Sequence, residues 1–441
     1  MQDGPKFGNM GRMSDPLTIV FMPESAYGPT NNCIGIGKVL ERRGHRIVFA
    51  AEASWRGRLE PLGFEEDLVD LAPPPEGGEQ DAGQFWTDFI TETAPEFRKP
   101  TIEQLDTFIR PVWESLIDGA KYCEPQLREI LARSEPDVIV EDNVSGFPAL
   151  LTHGAPWVRI MSCNPLERKD PDLPPTFSGY PIDDRTGWGA FRAEYDRTHR
   201  ELWSGFNDWM REQGAPALPD LEFIHASDQL NLSVFPGAAD YLRTRPLGAA
   251  WHRLESSVRE TEEPWSVPEH LRHGEGSLIY LSLGSLGSAD VDLMRRLVDV
   301  LSRTRHRYIV SKGPRAAEFD LPDTMWGEAR VPQTSIIPEV DIVITHGGNN
   351  TVTESMHFGK PMVVLPLFWD QYDNAQRMHE LGFGVRLHAY DFADEELIAA
   401  VDGLAADETL RSSLDALGER IRHADGVTHA ADLIEAVGRR V

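Results

Sequence analysis

Two stretches of the chain repeat one succession: an unbroken apolar run, a polar loop with glycine, a helical pattern and a second apolar run. The first opens on Thr18–Met22 (TIVFM), passes through PESAYGPTNN and continues as a 3.6-residue pattern carrying Ile36, Val39, Leu40 and Arg43. Gly44 stands where a helix places its left-handed C-terminal residue, and His45-Arg46 leads into IVFAA. The second opens on Leu278–Leu283 (LIYLSL), followed by GSLGSAD, a helix through MRRLVDVL and the run RYIVS. Apolar runs without alternation predict strands buried on both faces, hence parallel sheets built from βαβ units.

The two units begin about 260 residues apart, so two doubly wound α/β domains in tandem are expected. PDVIVED (136–142) and DIVIT (341–345) add one parallel strand to each. The polar, broken stretch 236–276 predicts the connection between them. The expected domains are residues 14–250, residues 251–425, and a C-terminal helix within 426–441 that crosses back to the first. Irregular Pro-rich stretches at 72–79 and 168–181 are long enough to be functional loops.

The chemistry concentrates in residues 331–377, VPQTSIIPEVDIVITHGGNNTVTESMHFGKPMVVLPLFWDQYDNAQR. There DIVIT ends at His346-Gly347-Gly348, a helix starts near Asn350-Thr351 and closes at Gly359, and Pro361 opens the next strand. Free N–H groups at that helix start favour an anion such as a diphosphate, and Gly347 and Gly348 let it approach the backbone. The His346 ring can donate to a phosphate oxygen. Asp370 and Gln371 follow the carboxyl end of the next strand, the edge at which open parallel sheets bind ligands, and an acid beside an amide suits sugar hydroxyls.

Composition narrows the class. The net charge of −28 disfavours nucleic acid and acidic membranes as partners. Cys33, Cys123 and Cys163 are too few and scattered for a disulfide framework or a zinc site. No apolar run approaches the ~18 residues of a spanning helix, and the polar leader MQDGPKFGNMGRMSDP lacks the core of a signal peptide. A cytoplasmic protein without membrane anchoring is expected; a homodimer stays open.

HGGNNTVTE, then GKP, then DQYDNAQR resembles the nucleotide-diphosphate-sugar box of the UDP-glycosyltransferase family, inverting enzymes of glycosyltransferase family 1 with the GT-B fold. The resemblance extends to LSLGS (281–285), GPTNNCIGIGKVLERRGH (28–45) and the tail GFGVRLHAYDFADEELIAAVDGL, and is loosest over 70–250. It implies two Rossmann-like domains facing a cleft and a UDP-sugar or dTDP-sugar donor, UDP first, with no metal. By position it puts His346, Gly348, Asn350 and Thr351 on the diphosphate, with Ser285 nearby. Glu354 falls on the ribose hydroxyls, Asp370 and Gln371 on the sugar, Gln333 at the nucleoside, and the Val331 backbone at the base edge. The expected reaction moves a hexose, glucose first, to a small hydrophobic or aromatic acceptor.

Structural alternatives stand beside these roles. Thr351 and Glu354 have capping-box spacing, and Asp290-Val-Asp292, spaced like a metal-binding DxD, reads as helix-start acids. Two departures also matter. Where the family has Gly-His, sixteen residues before His45, the chain has Gly28-Pro29, and proline can act as no base. The acid expected to partner that histidine remains as Asp142. Asp142 or Glu24 acts directly, or the acceptor needs little activation, or transfer is lost, or the chemistry has changed; a nucleotide-sugar-binding helper subunit without transfer activity is the alternative function. Ser25 and Tyr27 lie where an acceptor would be positioned. The second departure is Arg330 in the slot where many relatives stack Trp on uracil, with Trp326 four residues upstream. Nine of the eleven tryptophans fall at or before residue 265, which makes the first domain the aromatic, acceptor-binding one; Phe85, Trp86 and Phe89 are candidate pocket lining, whereas Trp203 and Trp209 read as helix core.

Overall fold

The apolar runs become the strands of two all-parallel sheets. In the computed structural model, which describes residues 15–73 and 92–440, the first sheet holds seven strands in the order β3-β2-β1-β4-β5-β6-β7. These are β1 (Thr18–Pro23), β2 (Arg46–Phe49), β3 (Glu65–Glu66), β4 (Val138–Asp142), β5 (Trp157–Met161), β6 (Leu230–Ser233) and β7 (Trp251–Arg253). The second holds six in the order β10-β9-β8-β11-β12-β13: β8 (Leu278–Ser282), β9 (Arg307–Ser311), β10 (Met325–Glu328), β11 (Ile342–Thr345), β12 (Met362–Val364) and β13 (Gly384–Arg386). Both orders reverse direction once, between β1 and β4 and between β8 and β11. Ligands of such sheets bind at that reversal, outside the carboxyl ends of the strands.

Among the longer helices, α1 (Tyr27–Arg42), α2 (Arg110–Ser134) and α3 (Trp188–Glu212) belong to the first half. The second half carries α4 (Val291–Ser302), α5 (Asn349–His357), α6 (Gln371–Glu380), α7 (Asp394–Ala406), α8 (Glu408–Ala424) and α9 (Gly426–Gly438). Gly44 ends α1 at φ 90°, a conformation that glycine adopts without a Cβ penalty. Asp290 accepts the Leu293 N–H at 3.0 Å, so the Asp-Val-Asp spacing is a capped helix start. No described helix is long and apolar enough to cross a membrane.

Two features lie past the expected boundary at residue 250. β7, inside the stretch expected to be connection only, pairs with β6 and completes the first sheet, because Trp251–Arg253 continues the parallel register. After α8 the chain returns: α9 lies on α1, with Arg43 paired to Asp432 at 2.8 Å and His45 Nε2 to Glu435 at 2.9 Å. Arginine of an exposed pair adds little, but His45 also accepts the Leu17 N–H, so this contact ties the last helix to the start of β1.

The halves also share one apolar core. Phe368 and Trp369, between β12 and α6, insert among aromatic side chains of the first half. Phe368 stands 5.0 Å from Phe97 and 5.4 Å from Phe108, and Trp369 4.4 Å from Phe177 and 5.2 Å from Trp113. The Pro-rich stretch 168–181 is an ordered loop docked along α6. Phe85, Trp86 and Phe89 lie outside the described residues.

Candidate active site

The loop after β11 is built to leave backbone donors open. Gly347 turns it at φ 90°, Gly348 is the residue before α5, and no side chain caps that helix start. The N–H groups of its first turn therefore carry no side-chain partner, at the positive end of the helix dipole. Thr351 and Glu354 lie inside α5 rather than at its cap, so the capping-box alternative falls. The His346 ring lies wedged between two glycines. A Cβ on Gly284, at φ 73°, would stand 2.7 Å from its Cε1, and one on Gly348 2.6 Å from its Nε2. Burial drives its pKa down to about 4, so the ring is neutral near pH 7 and offers a single N–H. Exposed Ser285 directly follows Gly284 in this loop.

Gly284→Ala is expected to displace the ring and strain the backbone, weakening nucleotide diphosphate binding at least tenfold in calorimetry (about 1.4 kcal/mol or more). An unchanged affinity would mean that the two loops move independently.

Gln333, Thr351 and Glu354 meet below this loop. Gln333 Nε2 donates to Thr351 Oγ1 at 3.2 Å and to Glu354, and its Oε1 accepts from the Tyr280 hydroxyl at 3.0 Å. Glu354 is buried, and its other oxygen accepts from Arg259 Nη1 at 3.0 Å. Val331 is half-buried at the edge of this group, and exposed Arg330 sets its guanidinium 4.9 Å from the Tyr27 ring centroid. Tyr27 also packs on Trp55 and accepts from Arg58, so it is engaged in packing.

Asp370 and Gln371 are likewise engaged. Gln371 Oε1 accepts the Leu367 and Phe368 N–H groups at 3.0 and 3.2 Å, which shapes the turn before α6. Asp370 accepts the Asn164 N–H from the first half at 2.9 Å, and burial raises its pKa to about 7. Beside it Asp373 accepts the N–H groups of Phe177 and Gly179 at 2.6 and 2.8 Å.

Across the cleft, Asp142 ends β4 beside the end of β1. It is buried, and Oδ1 accepts from Ser162 at 2.7 Å, with Asn32 of α1 beside the carboxylate. Burial pushes its pKa up to about 7, against the pull of Ser162 and Asn32. Pro29 sits in the first turn of α1, and Asn32, one turn further, donates to Asn350 Oδ1 at 3.3 Å; Asn350 donates back to the Gly28 carbonyl at 3.0 Å. The two switch points thus face each other through α1 and α5. Glu24 instead closes the turn into α1, accepting from Ser25 at 2.8 Å and from the Ala26 N–H at 2.9 Å. Nothing local in the sequence marks Arg259, Asn32 or Trp369: Asn32 and Trp369 lie inside motifs whose other residues carry the resemblance, and Arg259 lies in the polar connecting stretch.

Two parallel sheets with opposed switch points, one carrying an open helix start beside a glycine loop, have the layout of the GT-B fold. Residues 266–428 match the family model described as UDP-glucoronosyl and UDP-glucosyl transferase. It is 24% identical to the NDP-glycosyltransferase YjiC of Bacillus subtilis over 93% of this chain and 95% of that protein. It is 22% identical to a sterol 3-beta-glucosyltransferase of Debaryomyces hansenii over 98% of this chain, but spans only 28% of that longer protein. Its fold is similar to that of the glycosyltransferase VinC, crystallised with dTDP: TM-score 0.65, 17% identity, 96% of this chain and 100% of that one.

Proposed function

We propose that the chain moves a hexose from a nucleotide diphosphate sugar, UDP before dTDP, to a small hydrophobic or aromatic acceptor with inversion at the anomeric carbon. The observation that carries this reading is the meeting of the two switch points, where Asn32, beside Asp142, donates to Asn350 at the start of α5. In this reading the diphosphate lies on the first-turn N–H groups of α5, beside His346, Thr351 and Ser285, and those donors take up the charge of the leaving group. Glu354 and Gln333 hold the ribose, the Val331 backbone and Arg330 meet the base, and Asp370 and Gln371 hold the sugar. That requires Asp370 to release the Asn164 N–H and Arg330 to leave Tyr27, so donor entry accompanies a parting of the two halves. VinC was crystallised with dTDP, which keeps dTDP as the second donor.

Asp142 then takes the proton from the acceptor directly. A carboxylate whose pKa is raised to about 7 is a far better base than an ordinary one, which offsets the loss of histidine at Pro29. The acceptor lies against the aromatic layer between α2, α3 and the Trp369 loop. There Trp113 stacks on Phe223 at 4.2 Å, and Tyr195 on His199 at 4.1 Å.

The test is incubation of the protein with UDP-glucose and dTDP-glucose against panels of phenols, macrolides and sterols, with products read by mass spectrometry. Gain of one hexosyl group by an aromatic or lipophilic acceptor supports the reading. Donor binding without transfer to any acceptor would instead favour a nucleotide-sugar-binding helper subunit.

A further inference from the structure

Arg259 lies in the segment that joins β7 to the second sheet, and its backbone is pinned against α1: a Cβ on Gly35 would touch the Arg259 Cβ at 3.5 Å. Its guanidinium is nine-tenths buried and spans two carboxylates, Glu354 at 3.0 Å and Glu262. Glu262 in turn accepts the Thr334 N–H and hydroxyl at 2.7 and 2.8 Å, next to Gln333. One arginine from the connection thus closes a ring of polar contacts that runs Glu262, Thr334, Gln333, Glu354. Glu354, Gln333 and Thr334 lie on the second half, whereas Arg259 and Glu262 belong to the connecting segment, and the Arg259 backbone packs against α1.

We propose that Arg259 is a positioning residue of the donor site, holding the Glu354 carboxylate in place and oriented toward the ribose of the nucleotide. This rests on the reading of Glu354 as the ribose ligand. With one oxygen on Arg259 and the other on Gln333, the carboxylate is fixed in plane and direction, yet each oxygen keeps lone-pair capacity for a ribose hydroxyl. The groups facing it are Arg259, Glu262, Gln333, Thr351 and Tyr280. Arg259 is the sole cation among them, and Glu262 is a second negative charge. Burial, and the charge of Glu262, raise the pKa of Glu354, against the pull of Arg259 and Gln333. Without that cation, Glu354 protonates at higher pH, and a protonated carboxyl presents a weaker and differently aimed acceptor pair.

The test is calorimetric binding of UDP and of its dideoxyribose analogue to the full chain, from pH 6 to pH 9, in the wild type and in Arg259→Gln, Arg259→Lys and Glu354→Gln. Arg259→Gln is expected to weaken UDP at least tenfold at pH 6, to recover affinity as pH rises and Glu354 ionises, and to erase the preference for UDP over the analogue at low pH. Arg259→Lys restores most of the affinity and the flat profile. Saturating donor brings kcat of Arg259→Gln back to within about threefold of the wild type, since the arginine touches no reacting atom. UDP affinity unchanged in Arg259→Gln while Glu354→Gln loses it overturns this inference alone. Tighter UDP binding in Arg259→Gln also overturns it, because the arginine would then be competing for the carboxylate. Unchanged affinity in Glu354→Gln overturns the ribose reading itself.

Discussion

Asp142→Asn lowers turnover by about 100- to 10,000-fold, the usual range for a general base, and leaves UDP affinity within about twofold. The amide keeps the shape and can still meet Ser162, but it accepts no proton. The sign of the pH dependence follows from burial. The raised pKa means that Asp142 is protonated, and idle as a base, below about 7, so wild-type kcat at saturating substrates climbs through that value and levels off above it. An ordinary aspartate would give a flat profile over the same range. The acid limb vanishes in Asp142→Asn, whose residual rate comes from donor and acceptor held together. Full activity in the variant, with the wild-type profile, would remove Asp142 from the chemistry and return attention to Glu24 or to an acceptor that needs no base.

Asp373→Ala carries the largest expected effect on stability. Its carboxylate satisfies two buried backbone N–H groups, those of Phe177 and Gly179, in the loop that docks the first half onto α6. Each buried donor left without a partner costs about 1–3 kcal/mol, so the pair costs about 2–6 kcal/mol. Gly179 has no room to rearrange, since even a Cβ there would lie 2.8 Å from Tyr372 Cβ. Denaturant unfolding of the variant is expected to show an earlier first transition as the halves separate. Acceptor KM rises with it, because Phe177 and Trp369 then lose their fixed contact. Asp373→Asn retains one acceptor oxygen and recovers about half the loss. Wild-type unfolding in Asp373→Ala would mean that water replaces the carboxylate and that the docked loop is not a structural clamp.

The legible parts of this protein are those encoded locally. Runs such as RYIVS and DIVIT have no polar face to expose, so they announce parallel strands. The glycines at 347 and 348 followed by a helical pattern announce an open helix start, and the residues expected on it do converge there. Glu354 illustrates the limit: its spacing from Thr351 suggests a cap, and only the true start of α5, two residues before Thr351, excludes that. Contacts between distant segments stayed hidden. Nothing in SSVRETEEP marks Arg259, a lone cation among acids, as the partner of a glutamate 95 residues away. Trp369 reads as one more apolar residue after a strand, although its ring fills the aromatic layer of the other half. Asp370 and Gln371 were read as sugar ligands from their place at the sheet edge; their present hydrogen bonds, one to Asn164 of the first half, depend on how the halves meet, which no local pattern encodes.

The measurement that tests the donor site most directly is calorimetric titration of UDP, dTDP and GDP, each with and without its glucose conjugate, in chelator. One-site binding of UDP is expected, with dTDP weaker and GDP weaker still, unaffected by chelator and lost in Glu354→Ala. Binding of none of these nucleotides, by a protein that unfolds cooperatively, would contradict the assignment of the α5 loop as a donor site.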